Sequence, residues 1–295
     1  MQYIIIGSDG YIGSYLYEHL LMERESVLGT TRRPEEVGKK LFFDIKDNNA
    51  DSLPDFDWQN TTVIICTAQS KIDKCVDDYR SVYALNVTHT VGLAAELLSK
   101  GAQVIVFSSD QVFDGQTGGY KEDDKVSPMN AYGRMKAEME QKLLALKPQP
   151  CVFRIAKTLS RGRTANNVFT EWENTPSGGI VRCIVGNIIS FVYIEDIYRA
   201  IKVAAQNRLL GLFNIAGDDV CSRAELAREF MTVVGRTDVI IKEEPVENFN
   251  FREPRPLNVT MNNAKFKQAT GFYYTPLRDV IKRYVARLQN ESIQK

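Results

Sequence analysis

The stretch "YIIIGSDGYIG", residues 3–13, decides the fold, because it joins an apolar run directly to three glycines. The apolar run is typical of a buried strand. Residues 11–22 then carry apolar side chains at four-residue spacing, as one face of a helix does. Between this strand and this helix, Gly7 can make the tight turn, Gly10 lets the backbone approach an anion, and Gly13 allows the helix to pack closely on the strand.

The same turn predicts a ligand site. The first N–H groups of a helix have no partner within it, so a pyrophosphate can bind there. The spacing is GxxGxxG rather than GxGxxG, but its position directly after the first strand indicates a dinucleotide site. The residues of this turn expected to contact the cofactor are Gly7, Gly10, Tyr11, Ile12 and Gly13.

Strands and helices alternate along the first half of the chain, which is typical of βαβ units and a parallel sheet covered on both faces. We therefore predict an α/β fold, a Rossmann-type doubly wound parallel sheet with a smaller C-terminal substrate lobe. Residues 1–156 form the dinucleotide-binding domain in this prediction. Residues 157–295 form the lobe, and about 188–216 return to the core sheet. The further predicted strands are 26–32, 41–44, 61–68, 103–107 and 151–156, and the main helices are 77–99, 130–146 and 222–235.

Composition argues against several classes of function. The 295 residues include 37 basic and 37 acidic side chains, so the basic surplus of a nucleic-acid binder is missing. No run approaches the roughly 18 apolar residues of a membrane span. The five cysteines form no CxxC pair and there are two histidines, which argues against a metal site. We expect a cytoplasmic protein that binds no nucleic acid, membrane or metal.

The end of the second strand bears on which dinucleotide binds. An NAD site usually carries an acidic residue there, which holds the ribose hydroxyls. Thr31 stands about where that acid would be, and Arg32 and Arg33 follow. A guanidinium can bind a 2′-phosphate, which favours NADP(H) over NAD(H), although either arginine could also be a solvated loop residue. Asp44, after the third strand, could meet the adenine amino group or cap a turn.

A polar cluster ends the fifth strand, where "SSDQVFDG", residues 108–115, follows an apolar run. About twenty residues later, Tyr132 and Lys136 lie one helical turn apart in "YGRMK". A lysine cation so placed would lower the pKa of the phenol, which is near 10 in a free tyrosine. Ser109 could hold a substrate oxygen. We predict Ser109, Tyr132 and Lys136 as the catalytic residues of a hydride transfer. Taken alone, a tyrosine and a lysine at this spacing more often lie on a solvated face of a helix.

These motifs, together with "REPRPLNVTMNNAKF" at 252–266, resemble the extended short-chain dehydrogenase/reductase family, and within it the dTDP-4-dehydrorhamnose reductase branch. The resemblance implies NADPH-dependent reduction of a keto group on a nucleotide-linked 4-keto-6-deoxy sugar, and often a homodimer. It gives Ser109 the hydroxyl role, Tyr132 that of the acid and Lys136 that of its helper. It also implies that Cys66, Thr67 and Ala68 line the cofactor, that Asn86 buttresses the site, and that Gln111 and the segment 255–258 lie near the substrate. Guanidinium groups match phosphate geometry, so the candidates for holding a diphosphate are Arg161, Arg163, Arg252 and Arg255, although each taken singly would more often form a surface salt bridge.

Two departures from the branch keep alternatives open. Gln111 stands where the branch usually has tyrosine, and residues 157–187 lack its Gly/Gln-rich stretch, which leaves the sugar and the base undecided. The alternatives are a nucleotide-sugar epimerase or dehydratase of the same family, or a non-catalytic cofactor-binding regulatory subunit. Dehydratases of the family carry Asp-Glu where Asp110 and Gln111 stand, and a regulatory subunit would not need Tyr132.

Overall fold

The computed structural model describes residues 1–159 and 167–293. The strands of this part of the chain are β1 (Gln2–Ile6), β2 (Ser26–Thr31), β3 (Leu41–Phe42), β4 (Thr61–Ile65), β5 (Gln103–Ser109), β6 (Cys151–Ile155), β7 (Lys157–Leu159), β8 (Ile180–Ile184), β9 (Ile188–Tyr193), β10 (Gly211–Ile215), β11 (Val220–Ser222) and β12 (Ile240–Glu244). Its α-helices are α1 (Tyr11–Met22), α2 (Ile72–Asp77), α3 (Tyr79–Tyr83), α4 (Thr90–Ser99), α5 (Ala131–Leu144), α6 (Val168–Glu173), α7 (Ile194–Gln206), α8 (Arg223–Val234), α9 (Ala264–Thr270) and α10 (Leu277–Ile293).

A seven-stranded sheet in the order β10-β6-β5-β4-β1-β2-β3 forms the centre of the molecule. Each neighbouring pair in it is parallel. The strand order reverses at β1, because β2 pairs with one of its edges and β4 with the other. This arrangement confirms the predicted doubly wound parallel sheet, and ligands of such sheets bind beyond the carboxyl ends of the strands at the reversal point.

Two hydrophobic clusters, one on each face of the sheet, explain why its strands are apolar throughout. Successive side chains of a strand point to opposite faces. Ile5 and Ile105 therefore belong to the cluster that includes the buried faces of α1 and α7. Ile4 and Val104 belong to the cluster with α4 and α5. Burying each such side chain stabilises the folded state by about 1.5–3 kcal/mol.

The predicted helix over residues 77–99 is interrupted in the structure. Asp78 has φ −131° and ψ 56°, and its side chain accepts a hydrogen bond from the backbone N–H of Ser81, so α3 begins anew there. A π-helical stretch, Ala84–His89, then joins α3 to α4. The extra residue per turn faces Asn86 inward, where it is fully buried.

The C-terminal part adds two small sheets. β9 pairs with β7 in parallel and with β11 antiparallel, and β8 pairs with β12 in parallel. β12 was not among the predicted strands, and its sequence, IIKEE, ends in one lysine and two glutamates rather than in an apolar run. β10 lies in the core sheet next to β6, whereas β9 lies in the three-stranded sheet. The division into domains at residue 156 stays a prediction.

Candidate active site

The glycine turn between β1 and α1 is closed so tightly that side chains would not fit in it. Gly7 has a φ of +86°. A Cβ atom added to Gly13 would lie 2.3 Å from the carbonyl oxygen of Gly7, and one added to Gly10 would lie 3.3 Å from it. The turn thus leaves bare backbone and the N-terminus of α1 facing the cavity, which is a cradle that fits a pyrophosphate.

Residues after β4 line the same region. Cys66 and Ala68 lie on the cavity wall, and the methyl group of Thr67 packs against Gly7. Asn86 holds the next residue in place, because its side chain accepts a hydrogen bond from the backbone N–H of Gln69 at 2.9 Å and donates one to the Gln69 carbonyl at 3.0 Å. The buried π-helical asparagine therefore fixes the loop that follows β4.

At the end of β2, the buried Thr31 is followed by two exposed arginines. The side chains of Arg32 and Arg33 are 65% and 60% exposed. The guanidinium of Arg32 lies 3.5 Å from the carboxylate of Asp44, and that of Arg33 lies 4.0 Å from the carboxylate of Asp9. The residues predicted to contact the cofactor at the ends of β2 and β3 thus lie close to one another. The prediction overlooked Asp9, which lies inside the glycine turn itself.

The three predicted catalytic residues line one cavity of about 1180 Å³ together with Gly10 and Tyr11 of the glycine turn. β5 ends at Ser109, whose hydroxyl donates to Asp110 at 3.0 Å and accepts from the N–H of Gln111 at 3.3 Å. Asn130 precedes helix α5, and its side chain caps the helix by accepting a hydrogen bond from the Gly133 N–H.

Helix α5 therefore brings Tyr132 and Lys136 alongside the end of β5. The ammonium of Lys136 donates to the Phe107 carbonyl at 2.8 Å and lies 5.9 Å from the centre of the Tyr132 ring. Ser108, the residue before Ser109, also lines the cavity, although successive side chains of a strand point to opposite faces. The hydroxyl of Ser108 has no hydrogen-bond partner within the described residues.

The expected lowering of the Tyr132 pKa is wrong. Burial, followed by the nearby carboxylate of Asp110, raises the pKa of this phenol well above its ordinary value, and a hydrogen bond with Ser109 opposes the rise only in part. Burial also lowers the pKa of Lys136 to about 8, although Glu140 opposes that change. The main cause is desolvation, which disfavours the charged form of both groups.

Asp110 is a titratable group that the sequence analysis did not assign to the site. It is buried, and burial raises its pKa to about 6 despite hydrogen bonds from Gln111 and Ser109. Its carboxylate therefore changes charge close to neutral pH, next to the hydroxyl of Ser109 and near the phenol of Tyr132.

The far end of the cavity is lined by arginines and aromatic rings. The guanidinium of Arg182 lies 4.7 Å from the centre of the Phe249 ring, and that of Arg255 lies 4.7 Å from the Phe251 ring. The two phenylalanine rings stack at 5.7 Å. Trp172 and Arg223 complete this wall. No motif could have revealed this arrangement, because its members come from α6, β8, the start of α8 and the segment after β12.

The predicted substrate residues divide into two groups. Gln111 and Arg255 line the cavity, whereas Arg252 is not among the residues of its wall. The side chain of Arg252 is 59% exposed and pairs with Asp77. Arg161 and Arg163 lie outside the described residues. Within the described residues, no group of three or more His, Cys, Asp or Glu side chains could hold a metal ion, and none of the helices is both long and apolar enough to cross a bilayer.

The sheet topology, the glycine turn and the Ser–Tyr–Lys set define the class as an extended short-chain dehydrogenase/reductase. The profile of the RmlD substrate binding domain family matches residues 1–290, so the chain belongs to that family. The dTDP-4-dehydrorhamnose reductase of Mycolicibacterium smegmatis is 27% identical over 280 residues, which cover 94% of this chain and 81% of that protein.

Two further likenesses are informative. A structure described as a dTDP-4-dehydrorhamnose reductase from Clostridium acetobutylicum matches with a TM-score of 0.83 and 25% identity, covering 98% of this chain and 100% of its own. The methionine adenosyltransferase 2 subunit beta of Bos taurus is 30% identical over 153 residues, or 52% of this chain and 45% of that protein. The second likeness covers too little of either chain to identify a function.

Proposed function

We propose that the protein reduces the keto group of a nucleotide-linked 4-keto-6-deoxy sugar with a nicotinamide dinucleotide, as the names of its dTDP-4-dehydrorhamnose reductase relatives indicate for them. The observation that carries this proposal is that Ser109, Tyr132 and Lys136 line the same cavity as the glycine turn. The bound dinucleotide would supply the hydride that adds to the keto carbon. NADP(H) is proposed as the preferred form, because Arg32 and Arg33 follow β2.

The chain's own residues would handle the proton. The Ser109 hydroxyl would hydrogen-bond the keto oxygen and orient it. Tyr132 would then donate its proton to that oxygen as negative charge develops there. The phenol is protonated at neutral pH and so carries the proton to be donated, although its raised pKa makes it a weaker acid than a free tyrosine. Lys136, with a pKa of about 8, remains mostly a cation at pH 7 and would stabilise the resulting phenolate.

The far end of the cavity would hold the nucleotide. Guanidinium groups match the geometry of a diphosphate, which favours Arg255 and Arg182 as its ligands. The stacked Phe249 and Phe251 offer flat faces to a base. The homodimer, the cytoplasmic location and the role of Arg252 stay predictions.

A non-catalytic subunit is the second candidate, because of the likeness to an adenosyltransferase beta subunit over residues that make up half of this chain. Against it, the proton donor Tyr132, its cation Lys136 and the hydroxyl of Ser109 are all present at one cavity. A role in binding alone does not require these three groups together.

The test is a panel of keto-sugar nucleotides, including dTDP-4-dehydrorhamnose, incubated with NADPH or NADH. Oxidation of the dinucleotide is followed by absorbance and the products by mass spectrometry. The expected product is heavier than its substrate by two hydrogen atoms. A product of unchanged mass would favour the epimerase, and a loss of water would favour the dehydratase. Dinucleotide binding without turnover of any substrate would favour the regulatory subunit.

A further inference from the structure

Asp9 is held against the end of β2 by a set of hydrogen bonds that ties the glycine turn to that strand. The backbone N–H of Gly7 donates to the Thr30 hydroxyl at 2.9 Å, and that of Ser8 donates to the Thr30 carbonyl at 3.1 Å. The Thr31 hydroxyl donates to the Asp9 carboxylate at 2.6 Å. The Asp9 side chain is only 17% exposed. The turn therefore delivers a carboxylate to the place where β2 itself ends in threonine.

Cations surround this carboxylate. The ammonium of Lys40 lies 2.8 Å from one of its oxygens, and the guanidinium of Arg33 lies 4.0 Å from the other. Burial raises the pKa of Asp9, but the hydrogen bonds from Lys40 and Thr31 and the charges of Lys40 and Arg33 outweigh it and leave the pKa below its ordinary value. Asp9 is thus ionised at neutral pH.

We propose that Asp9 limits the preference for NADP(H), so that NADPH binds more tightly than NADH by a smaller factor than Arg32 and Arg33 alone would give. This inference rests on the proposed function, since it assumes a nicotinamide dinucleotide at the glycine turn. In many NAD sites an acidic residue at the end of the second strand accepts a hydrogen bond from the ribose 2′-hydroxyl. Here the Asp9 carboxylate, reaching Thr31 from the turn, provides that acceptor.

The charges around Asp9 determine how tightly NADPH binds relative to NADH. A carboxylate repels a 2′-phosphate. Lys40 and Arg33 reduce that repulsion by pairing with Asp9, and Arg32 lies beside a second carboxylate, Asp44, at 3.5 Å. Because Arg32, Arg33 and Lys40 each already face a carboxylate, none of the three attracts the 2′-phosphate at full strength. Two arginines after β2 therefore do not make a strongly NADP(H)-specific site.

The test measures dissociation constants of NADH and NADPH by the fluorescence of the reduced nicotinamide, with no sugar substrate present. Asp9→Asn keeps the size and an acceptor but removes the charge, and we expect it to raise the NADPH-to-NADH affinity ratio about tenfold. Lys40→Gln removes a positive charge that pairs with Asp9. The repulsion between Asp9 and a 2′-phosphate should then increase, so the NADPH-to-NADH affinity ratio should fall several-fold. Asp51→Asn is the matched control. It removes the same charge from a side chain that is 79% exposed and pairs with Lys100, and the ratio should not change.

The outcomes separate this inference from the proposed function. If the ratio in Asp9→Asn stays within about twofold of the wild type, or shifts as much in Asp51→Asn, the role of Asp9 is overturned. Should Asp9→Asn fail to fold, as judged by circular dichroism, an unchanged ratio in Lys40→Gln overturns it instead. A wild-type protein that binds neither dinucleotide contradicts the proposed function and, with it, the role of Asp9.

Discussion

The two ends of the large cavity are built differently. At the glycine turn the wall is backbone, and even one added methyl group at Gly13 would meet the Gly7 carbonyl oxygen at 2.3 Å. At the far end the wall includes long side chains such as Arg182 and Arg255, each of which lies over a phenylalanine ring and pairs with a carboxylate. The first end tolerates almost no change of shape, whereas the second can be altered one side chain at a time. We infer that the fold fixes cofactor binding and that replaceable side chains set the choice of substrate.

Gly13→Val tests the rigid end and should have the largest effect. The new side chain must push the turn apart, so we expect undetectable NADPH binding and a free energy of unfolding lower by about 1–3 kcal/mol. Both are measured, by fluorescence titration and by urea unfolding. The control is Gly92→Ala in α4, where an added Cβ meets nothing within 4 Å. This variant should be neutral or slightly stabilised. Normal NADPH binding by Gly13→Val would show that the turn is not the rigid end.

Asp110→Asn tests the junction between the two ends through its pH dependence. The pKa of Asp110 is raised from 3.8 to about 6, so its protonated form stabilises the folded state below pH 4, and this stabilisation is lost as pH rises through 6. The difference corresponds to about 3 kcal/mol. Relative to wild type, Asp110→Asn should therefore gain up to that much in free energy of unfolding between pH 4 and pH 7, measured by denaturant titration. Parallel pH profiles would contradict a raised pKa of the buried Asp110 carboxyl group.

Arg255→Met tests the replaceable end. Losing one charged ligand of a diphosphate should raise KM for the nucleotide sugar about tenfold while leaving NADPH binding unchanged. Arg252→Met is the matched control, because Arg252, like Arg255, pairs with an aspartate but is not part of the cavity wall. Steady-state kinetics decide between them. A larger KM effect in Arg252→Met than in Arg255→Met would reverse the assignment.

Ser222→Ala should have the smallest effect of the four. Ser222 caps α8, whose first residue, Arg223, lines the far end of the cavity, and Glu225 completes a capping box. Loss of the cap should lower the free energy of unfolding by about 1 kcal/mol. Ser99→Ala, at the exposed end of α4, should change it by less than about 0.5 kcal/mol. Equal losses in the two variants would mean that the cap does not anchor this wall.

The sequence predicted the parts of the site that local chemistry dictates. Glycines between a strand and a helix, a serine at a strand end, and Tyr132 and Lys136 one turn apart each follow from neighbours in the chain. Contacts between distant segments, such as that of Asp9 with Lys40 or of Arg182 with Phe249, could not be predicted from local sequence patterns. β8 and β12 were also not predicted, although β8 is largely apolar; β12 ends in charged residues and pairs with β8, which is 60 residues away in the chain.

Burial explains why the predicted lowering of the Tyr132 pKa is wrong. The spacing of Tyr132 and Lys136 showed a cation near a phenol, from which a lowered pKa follows in water. The depth of both groups and the carboxylate of Asp110 are properties of the folded chain, and they raise the pKa of the phenol instead. Helical spacing therefore predicted which groups meet but not how strongly each is desolvated.

The assignment of Tyr132 as proton donor beside the dinucleotide is tested most directly by Tyr132→Phe, which removes one oxygen atom. Turnover of the keto-sugar nucleotide and the dissociation constant of NADPH are measured on the same preparation. We predict that turnover falls by about 10²–10⁴-fold while the NADPH dissociation constant changes by less than about threefold. Full activity of Tyr132→Phe would contradict the assignment.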